Sequence, residues 1–334
     1  MVNSQVHTVS SESSNKVYLK AEVKNKNGVS IPYAKIDFSI DDNLGMVFPK
    51  NASTNKFGES IVTYVPPNYY ELDPDRKNSS VIVTARINKT SKDYSVKFDL
   101  MPVPVIFVHG YQENVDMFDN MSDYLSSKGY SCSALSYDSR AGVIPGSRDL
   151  QSFMQLKKSE FLNKGMLVNK FTLITHSMGG LVTRYYSSSE EYLKNNDINK
   201  IIFLSVPHRG SHLASIGENF FNDQSIRDLI PDSELFTNSF HDMINDGLNN
   251  SIQIGNILSQ YDEVVTVESA GLEHWNIKTE IFNIGENNFT VDNLLNGNIL
   301  EAPNHKGILN NKRVFERIYE MLNVDLPYPA VVSN

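Results

Sequence analysis

The chain has 334 residues, of which 40% are hydrophobic and 21% are charged, a composition typical of a globular protein with room for a large core and two domains. Its formal net charge of −9 is unevenly distributed: residues 1–100 carry 13 Lys and Arg against 11 Asp and Glu, which leaves 17 against 28 for the remainder. The acidic remainder argues against nucleic-acid binding and against docking on anionic membranes.

The sequence also bears on compartment and redox chemistry. No apolar run approaches the roughly 20 residues that cross a bilayer, so we expect no transmembrane segment. The first residues, Met-Val-Asn-Ser-Gln, lack the charged and apolar regions of a signal peptide, so an exported protein would have its signal outside this sequence. Cys132 is the only cysteine, which excludes an internal disulfide, and its apolar surroundings favour a packing role over a reactive thiol.

The first hundred residues have the pattern of a small all-β domain. Residues 1–15 are rich in Ser, Asn and Thr, and we expect a flexible tail there. Apolar and polar residues then alternate in four short runs, at 17–24, 36–40, 81–85 and 96–100. Turn signals such as Asn27-Gly28 separate the runs. Several short strands with a period of two, and no helical period, predict a β-sandwich over residues 16–100.

Two stretches of this region, Leu19 to Phe38 and Thr54 to Tyr64, resemble the bacterial Ig-like repeats of surface adhesins. The resemblance implies an exported bacterial protein, secreted or at the cell surface, in which such a module acts as a spacer or an anchor. No aromatic platform and no cluster of metal ligands indicates a sugar- or metal-binding module. A Pro-x-Pro sequence at Pro102 and Pro104 predicts a short hinge before a second domain over residues 101–334.

The central motif of the second domain is Thr-His-Ser-Met-Gly-Gly at 175–180, directly after the apolar run 171–174. The run predicts a buried strand, and apolar residues recur at helical spacing after the motif. A strand that turns into a helix across a single serine is typical of a nucleophile elbow, with Ser177 as the nucleophile. Gly179 is the small residue that the tight turn needs, whereas Thr175 stands where the usual motif has Gly.

A second motif predicts an oxyanion hole. The apolar run 103–108 ends in His109-Gly110-Tyr111, the position at which an α/β-hydrolase supplies one half of its oxyanion hole. The other half is the backbone N–H directly after the nucleophile. The expected donors are therefore the backbone N–H groups of Tyr111 and Met178. We expect His109 to shape the loop rather than to act as a base.

Strand and helix patterns alternate from residue 103 to residue 322, which predicts a mostly parallel sheet with its active site at the carboxyl ends of the strands. Besides the two strands above, we expect strands at 131–137, 201–206 and 252–258 and helices at 117–125, 148–163 (with Ser147 as its N-cap) and 312–322. Each candidate motif follows a predicted strand.

Residues 212–250 carry large apolar residues outside the strand pattern. They predict a helical cap that lines an acyl pocket, and ordinary core packing is the alternative. His208 lies in Pro-His-Arg-Gly-Ser after a predicted strand, where it would form a structural wall of the pocket. The candidate pocket residues are His109, His176, His208, Phe220, Phe221, Phe236 and Phe240.

The triad order in this fold is serine, acid and then histidine. Asp262, Glu263 and Glu268 are the candidate acids after the predicted strand at 252–258. Only His274 and His305 follow Asp262. His274 comes twelve positions later, too soon for a separate strand end, so His305 is the favoured base.

Residues 103–322 as a whole resemble the α/β-hydrolase lipases and esterases of bacteria. The resemblance puts the acid on Asp262, with Thr266 in place of the usual proline, and it supports His305 and the wall role of His208. It implies a serine carboxylic ester hydrolase that acts on a small-molecule or lipid ester through an acyl-enzyme. An amidase or acyltransferase with the same triad, or a non-catalytic surface protein, is the alternative. The chemistry needs no cofactor and no metal.

Overall fold

The computed structural model of the protein describes residues 6–40, 44–69, 80–88, 90, 92–218, 222–285 and 302–332. The chain divides into two compact units, Met1–Val103 with Lys157–Asn169 and Pro104–Leu156 with Lys170–Asn334. None of the helices in these described ranges is long and apolar enough to cross a membrane.

The strands, in chain order, are β1 (Thr8–Ser10), β2 (Val17–Glu22), β3 (Lys35–Ile40), β4 (Met46–Phe48), β5 (Asn51–Ser53), β6 (Glu59–Val65), β7 (Ser80–Ile87), β8 (Asp93–Met101), β9 (Val105–Val108), β10 (Cys132–Leu135), β11 (Met166–Leu167), β12 (Phe171–His176), β13 (Ile198–Leu204), β14 (Gln253–Ser259) and β15 (Thr279–Phe282). The α-helices are α1 (Asp119–Ser127), α2 (Val143–Asn163), α3 (Met178–Ser187), α4 (Glu190–Asn195), α5 (His212–Gly217), α6 (Gln224–Leu229), α7 (Val267–Ala270), α8 (Pro303–Gly307) and α9 (Lys312–Leu322).

The first unit is a two-sheet sandwich. One sheet has the order β11-β1-β8-β7-β3-β5 and the other β2-β6-β4. Ile36, Val62 and Val81, from β3, β6 and β7, are buried because alternate residues of each strand point into the space between the sheets. The rings of Tyr64 and Phe98 meet edge to face in this core, with centroids 4.8 Å apart. The predicted Ig-like sandwich is thereby confirmed.

The flexible tail predicted for residues 1–15 is wrong for its second half, and residues 1–5 lie outside the described ranges. Thr8–Ser10 forms β1, which pairs in parallel with β8 and with β11. Asn15 is buried because its amide is used on both sides: Nδ2 donates to the Ser10 carbonyl at 3.0 Å, and Oδ1 accepts from the Asn169 N–H at 2.9 Å. Satisfied hydrogen bonds allow polar residues to be buried, so polarity alone did not indicate a tail.

The second unit contains the predicted parallel sheet. Its order is β10-β9-β12-β13-β14-β15, and every neighbouring pair is parallel. The strands β9 and β12 are buried along their whole length, as expected for a sheet covered on both faces. The fold class is therefore α/β, as predicted, and the carboxyl ends of all six strands lie at one edge. β15, a short strand at the margin of the sheet with only one buried residue, was not predicted from the sequence.

Two of the predicted helices illustrate how well patterns locate helix ends. α9 has the predicted bounds, and its apolar face packs into the main core. α2 begins at Val143, so Ser147 is inside the helix rather than at its N-cap. The Ser147 hydroxyl donates to the Ile144 carbonyl at 2.7 Å, a local bond that serine makes to the preceding turn when it lies inside a helix.

In the first half of the predicted cap (the cap as a whole spans residues 212–250), α6 lies against loops at the carboxyl edge of the sheet. Asp223 caps α6 and accepts a hydrogen bond from the Tyr111 hydroxyl at 2.6 Å. The Ser225 hydroxyl donates to the Ser139 carbonyl at 2.7 Å. Tyr111 and Ser139 belong to the loops after β9 and β10, so α6 covers the edge at which the site was predicted.

The second half of the cap packs against α3 instead, around the fully buried Arg184. The Arg184 guanidinium donates to the carbonyls of Asp246 and Gly247 at 3.0 and 3.3 Å, and it lies over the Phe240 ring at 4.2 Å. Burial lowers the pKa of Arg184 to about 9. Leu235–Ser239, the π-helical turn of this segment, precedes Phe240. This half therefore serves as core packing, the alternative that the sequence had left open.

Candidate active site

Ser177 lies at the turn between β12 and α3 with φ 50° and ψ −130°. A non-glycine residue in this region stores on the order of 1–3 kcal/mol of strain, which the surrounding structure must offset. Gly179 allows the turn to pack directly on the end of β9, because a Cβ there would collide with the carbonyl groups of Val108 and His109. Thr175, at the position where the usual motif has Gly, is accommodated in the fully buried strand.

The loop after β9 approaches the elbow closely. A Cβ on Gly110 would lie 2.8 Å from the Ser177 Cβ, so only glycine fits without movement. The backbone N–H groups of Tyr111 and Met178 make no hydrogen bond to any residue within the described ranges. The Tyr111 side chain is fixed by Asp223, and burial together with this carboxylate raises the pKa of Tyr111 to about 12. Among the residues that the structure describes, neither predicted oxyanion donor therefore has an acceptor for its backbone N–H group.

The structure brings Asp262 and His305 together. The Asp262 carboxylate accepts from His305 Nδ1 at 2.8 and 2.9 Å, and its Oδ1 also accepts from the N–H groups of Val264 and Val265. Nε2 of His305 takes no part in this contact. In the part of the chain that the structure describes, the Ser177 hydroxyl itself makes no direct hydrogen bond to His305.

The Asp262–His305 pair is nearly inaccessible to solvent, with side-chain exposures of 1% and 5%. Burial alone would raise the pKa of the Asp262 carboxyl, but the charge and hydrogen bond of His305 outweigh it, so the pKa is lowered. Burial alone would lower the pKa of His305. The charge and hydrogen bond of Asp262, with smaller contributions from the charges of Glu113 and Glu263, raise that pKa above its ordinary value.

Glu263, which the sequence offered as a competing acid, holds the backbone of the histidine segment. Its carboxylate accepts from the N–H groups of Asn304 and His305 at 3.0 and 2.9 Å. These are N–H groups of the first turn of α8, which have no partner within the helix. The Asn304 side chain donates to the Tyr261 carbonyl at 2.9 Å. Glu263 and Asn304 therefore bind the histidine segment to the acid loop.

The remaining candidates for acid and base lie away from these contacts. Glu268 is exposed on α7. His274 is also exposed, and its ring meets the Trp275 ring at a centroid distance of 5.1 Å. The structure thus joins Asp262 to His305 and leaves Glu268 and His274 outside the pair.

Glu113, a carboxylate with only 3% of its side chain exposed, was not among the residues predicted from the sequence. It accepts from the Gly110 N–H at 2.7 Å and from His176 Nδ1 at 2.8 Å. His176 is fully buried, and its Nε2 lies 3.1 Å from the His305 carbonyl oxygen. The only signal in the sequence is the position of Glu113, three residues after Gly110 in the predicted oxyanion loop.

Two of the predicted pocket residues, His109 and His176, are buried in hydrogen-bonded positions beside the elbow. The His109 carbonyl accepts from the Tyr137 hydroxyl at 2.7 Å, and burial lowers the pKa of the His109 imidazole. His109 therefore shapes the loop, whereas both nitrogens of His176 are used within the protein. Because both ring nitrogens are already hydrogen-bonded, the His176 side chain has no polar atom left to bind a substrate. The prediction that His176 is a pocket residue is therefore wrong.

Three of the other predicted pocket residues, His208, Phe236 and Phe240, lie in the cluster around Arg184. His208 is buried beside Arg184, which donates to its carbonyl at 2.9 Å, and burial first and then this cation lower its pKa well below the ordinary value. Phe240 packs on the same guanidinium and on Phe236, at a ring centroid distance of 5.9 Å. The remaining two predicted pocket residues, Phe220 and Phe221, lie outside the described residues.

A parallel six-stranded sheet, a strained serine between strand and helix, and an aspartate–histidine pair at the same edge are the features of an α/β-hydrolase. The chain belongs to the lecithin:cholesterol acyltransferase family, whose sequence profile matches residues 105–297, more than half of the chain. No curated protein sequence matches the chain.

Several solved structures are similar to the chain. The lipase BlEst2 of Bacillus licheniformis in its propeptide form is 15% identical over 69% of this chain and 52% of its own, with a TM-score of 0.49. Phospholipase PlaB from Legionella pneumophila in complex with thio-NAD is 20% identical over 51% and 44%, with a TM-score of 0.39. The D00-D0 domain of intimin is 20% identical over 28% and 43%, with a TM-score of 0.24. The chain thus spans about half the length of each of these three structures, or less.

We expect substitutions of the three carboxylates of the acid loop, Asp262, Glu263 and Glu268, to reduce activity to different degrees. Asp262→Asn removes the charge that orients and stabilises the histidine, so we expect hydrolysis of an ester reporter to fall by about 1000-fold or more. Glu263→Gln weakens only the backbone contacts of the histidine segment, so we expect a loss of about 10-fold. Glu268→Gln is the matched control and should leave kcat/KM unchanged. A larger loss for Glu263→Gln than for Asp262→Asn would contradict the assignment of the acid.

Proposed function

We propose that the chain is a serine carboxylic ester hydrolase that acts on lipid esters through an acyl-enzyme on Ser177. The observation that carries the proposal is the hydrogen bond between Asp262 and His305 at the sheet edge where the strained elbow presents Ser177. Membership of the lecithin:cholesterol acyltransferase family supports a lipid ester as the substrate.

In the proposed acylation step, the Ser177 hydroxyl attacks the ester carbonyl carbon while His305 Nε2 takes its proton. Asp262 keeps Nδ1 protonated and stabilises the imidazolium without taking the proton itself. The carbonyl oxygen becomes negative, and the backbone N–H groups of Tyr111 and Met178 would stabilise it. Collapse of this intermediate breaks the bond to the alcohol oxygen, which leaves with the proton from His305.

In the proposed deacylation step, a water molecule occupies the place of the alcohol. His305 takes one of its protons as the water oxygen attacks the acyl carbon, and the same oxyanion donors stabilise the second tetrahedral intermediate. The bond to the Ser177 oxygen then breaks, and His305 returns the proton to that oxygen. The products are a carboxylic acid and the free serine.

Acyl transfer is the second candidate, and the family match favours it. An alcohol can take the place of water at the acyl-enzyme, in which case the product is a new ester. An amidase would use the same residues, and the resemblance at the sequence level left it open together with a non-catalytic surface protein. Neither of these two has an observation of its own in its favour.

For the domain organisation we propose that residues 101–334 form the catalytic domain and that the Ig-like domain, residues 16–100, is a spacer or surface anchor of an exported protein. The compact sandwich unit supports this role, because Ser177, Asp262 and His305 all belong to the second unit.

The first prediction concerns the nucleophile. Ser177→Ala removes the attacking oxygen, so we expect ester hydrolysis to fall by at least about 1000-fold while the far-UV circular dichroism and thermal melt are retained. Ser187→Ala, a buried serine at the other end of α3, is the control and should keep its activity. Near-normal activity of Ser177→Ala, measured with p-nitrophenyl esters of increasing chain length, would exclude the proposed mechanism.

The second prediction concerns pH. His305 must be neutral to accept a proton, and its pKa is raised by Asp262, so kcat/KM should rise with pH and reach its midpoint above the ordinary histidine value of about 6.5. In Asp262→Asn the raising charge is lost, so the midpoint of the residual activity should move to lower pH. A wild-type midpoint well below 6.5 would be inconsistent with His305 as the base.

The third prediction separates hydrolysis from acyl transfer. With a fixed ester donor and rising concentrations of a long-chain alcohol, a hydrolase should release mainly free acid, and we expect this outcome. Predominant formation of the alcohol ester at low alcohol concentration would assign the chain to acyl transfer instead, with the same acyl-enzyme.

A further inference from the structure

We propose that Glu113 holds His176 as an imidazolium cation, and that this buried ion pair positions the nucleophile, the base and the oxyanion loop relative to one another. The proposal rests on the roles given above to Ser177 and His305. In the proposed mechanism neither Glu113 nor His176 contacts a reacting atom, so both are positioning residues.

The hydrogen bonds of His176 determine its protonation. Nδ1 lies 2.8 Å from the Glu113 carboxylate, and Nε2 lies 3.1 Å from the His305 carbonyl oxygen. A carboxylate and a carbonyl oxygen can only accept, so each ring nitrogen must carry a hydrogen for both bonds to form. Either neutral tautomer would turn a lone pair towards one of these oxygens. Both bonds therefore form only in the doubly protonated ring.

The surroundings of the pair stabilise this charge state. Glu113 and His176 are almost completely removed from water, and an unpaired carboxylate in such a place would be very costly. The neighbouring titratable groups are His305, His109 and Tyr137. Burial alone would raise the pKa of Glu113, but the charge and hydrogen bond of His176, the charge of His305 and the Gly110 N–H lower it instead.

The ion pair also joins three segments that the reaction has to align. The Gly110 N–H donates to Glu113, Glu113 accepts from His176, and His176 donates to the carbonyl of His305. This series of hydrogen bonds begins in the loop that carries the predicted oxyanion donor Tyr111. It passes through His176, the residue directly before Ser177, and ends at the backbone of the proposed base, His305.

The charges within the pair cancel, which explains why an ion pair suits this position. A lone cation at His176 would oppose protonation of His305, whose ring centroid is only 4.6 Å away. With the Glu113 carboxylate beside it, the His176 cation forms strong charge-assisted hydrogen bonds, and the pair as a whole places no net charge next to His305.

The charge state is tested without any measurement of activity. In protein containing 15N-labelled histidine, the His176 ring, assigned by its loss in His176→Gln, should show two protonated nitrogens at about pH 8, where an ordinary histidine is neutral. The Glu113→Gln variant should lose this signature, because a neutral amide can still accept from Nδ1–H but does not stabilise the cation. One unprotonated nitrogen in the wild-type ring at about pH 8 would overturn the proposal.

The positioning role is tested by kinetics. We expect Glu113→Gln to lower kcat by about 10- to 100-fold with little change in KM, because the aligned segments relax while substrate contacts remain. Asp197→Asn is the matched control: this buried carboxylate accepts from the Tyr186 hydroxyl directly before β13, at the opposite edge of the sheet, and its loss should leave kcat unchanged. Equal kcat in Glu113→Gln and wild type would overturn the positioning role.

Failure of this inference and failure of the proposed function are distinguishable. If Ser177→Ala keeps its activity, the triad assignment fails, yet the labelled spectrum still reports the charge of His176. If Ser177→Ala is inactive and the spectrum shows a neutral His176, only the ion-pair inference fails. Should Glu113→Gln not fold, the wild-type spectrum still decides the charge state.

Discussion

The hydrogen bond between Asp262 and His305 is the contact on which the rest of the candidate site depends. It joins two side chains that are 43 positions apart in the sequence and buries both of them. The imidazole of His305 and the N–H groups of Val264 and Val265 stabilise the aspartate as an anion, and the aspartate is the main group that stabilises the imidazole as a cation. Each group thus sets the protonation state that the other needs for acid–base chemistry at neutral pH.

Around this contact, strained and closely packed segments are maintained at some cost in folding stability. The elbow keeps Ser177 in a strained conformation, which only close packing can maintain. Gly110 and Gly179 provide that packing because neither position has room for a Cβ. Two further carboxylates, the buried Glu113 and the partly exposed Glu263, accept hydrogen bonds from the backbone of neighbouring segments. Such a set of satisfied polar contacts is costly to assemble, and it restricts the movement of the segments that carry Ser177, Asp262 and His305.

The fold and the principal residues of the candidate site could be predicted because their signals are local. Continuous apolar runs mark strands that are buried on both faces, and Ser177 and His305 lie at fixed points relative to such elements. Contacts between distant segments leave no such signal. Neither the pairing of Glu113 with His176 nor the burial of Asn15 follows from spacing, since each depends on which loops meet in space. The second half of the cap was ambiguous for the same reason: apolar residues at helical spacing pack equally well on a substrate or on α3.

The most direct test of the account is covalent labelling of the nucleophile. A fluorophosphonate reacts with a serine that an adjacent base activates, so intact-mass measurement and peptide mapping should find one adduct, on Ser177, at neutral pH. The adduct should form far more slowly in Asp262→Asn, in which the hydroxyl is present but the base is not held in its reactive form. An adduct on another serine would contradict the account. So would labelling of Ser177 at the same rate in the wild type and in Asp262→Asn.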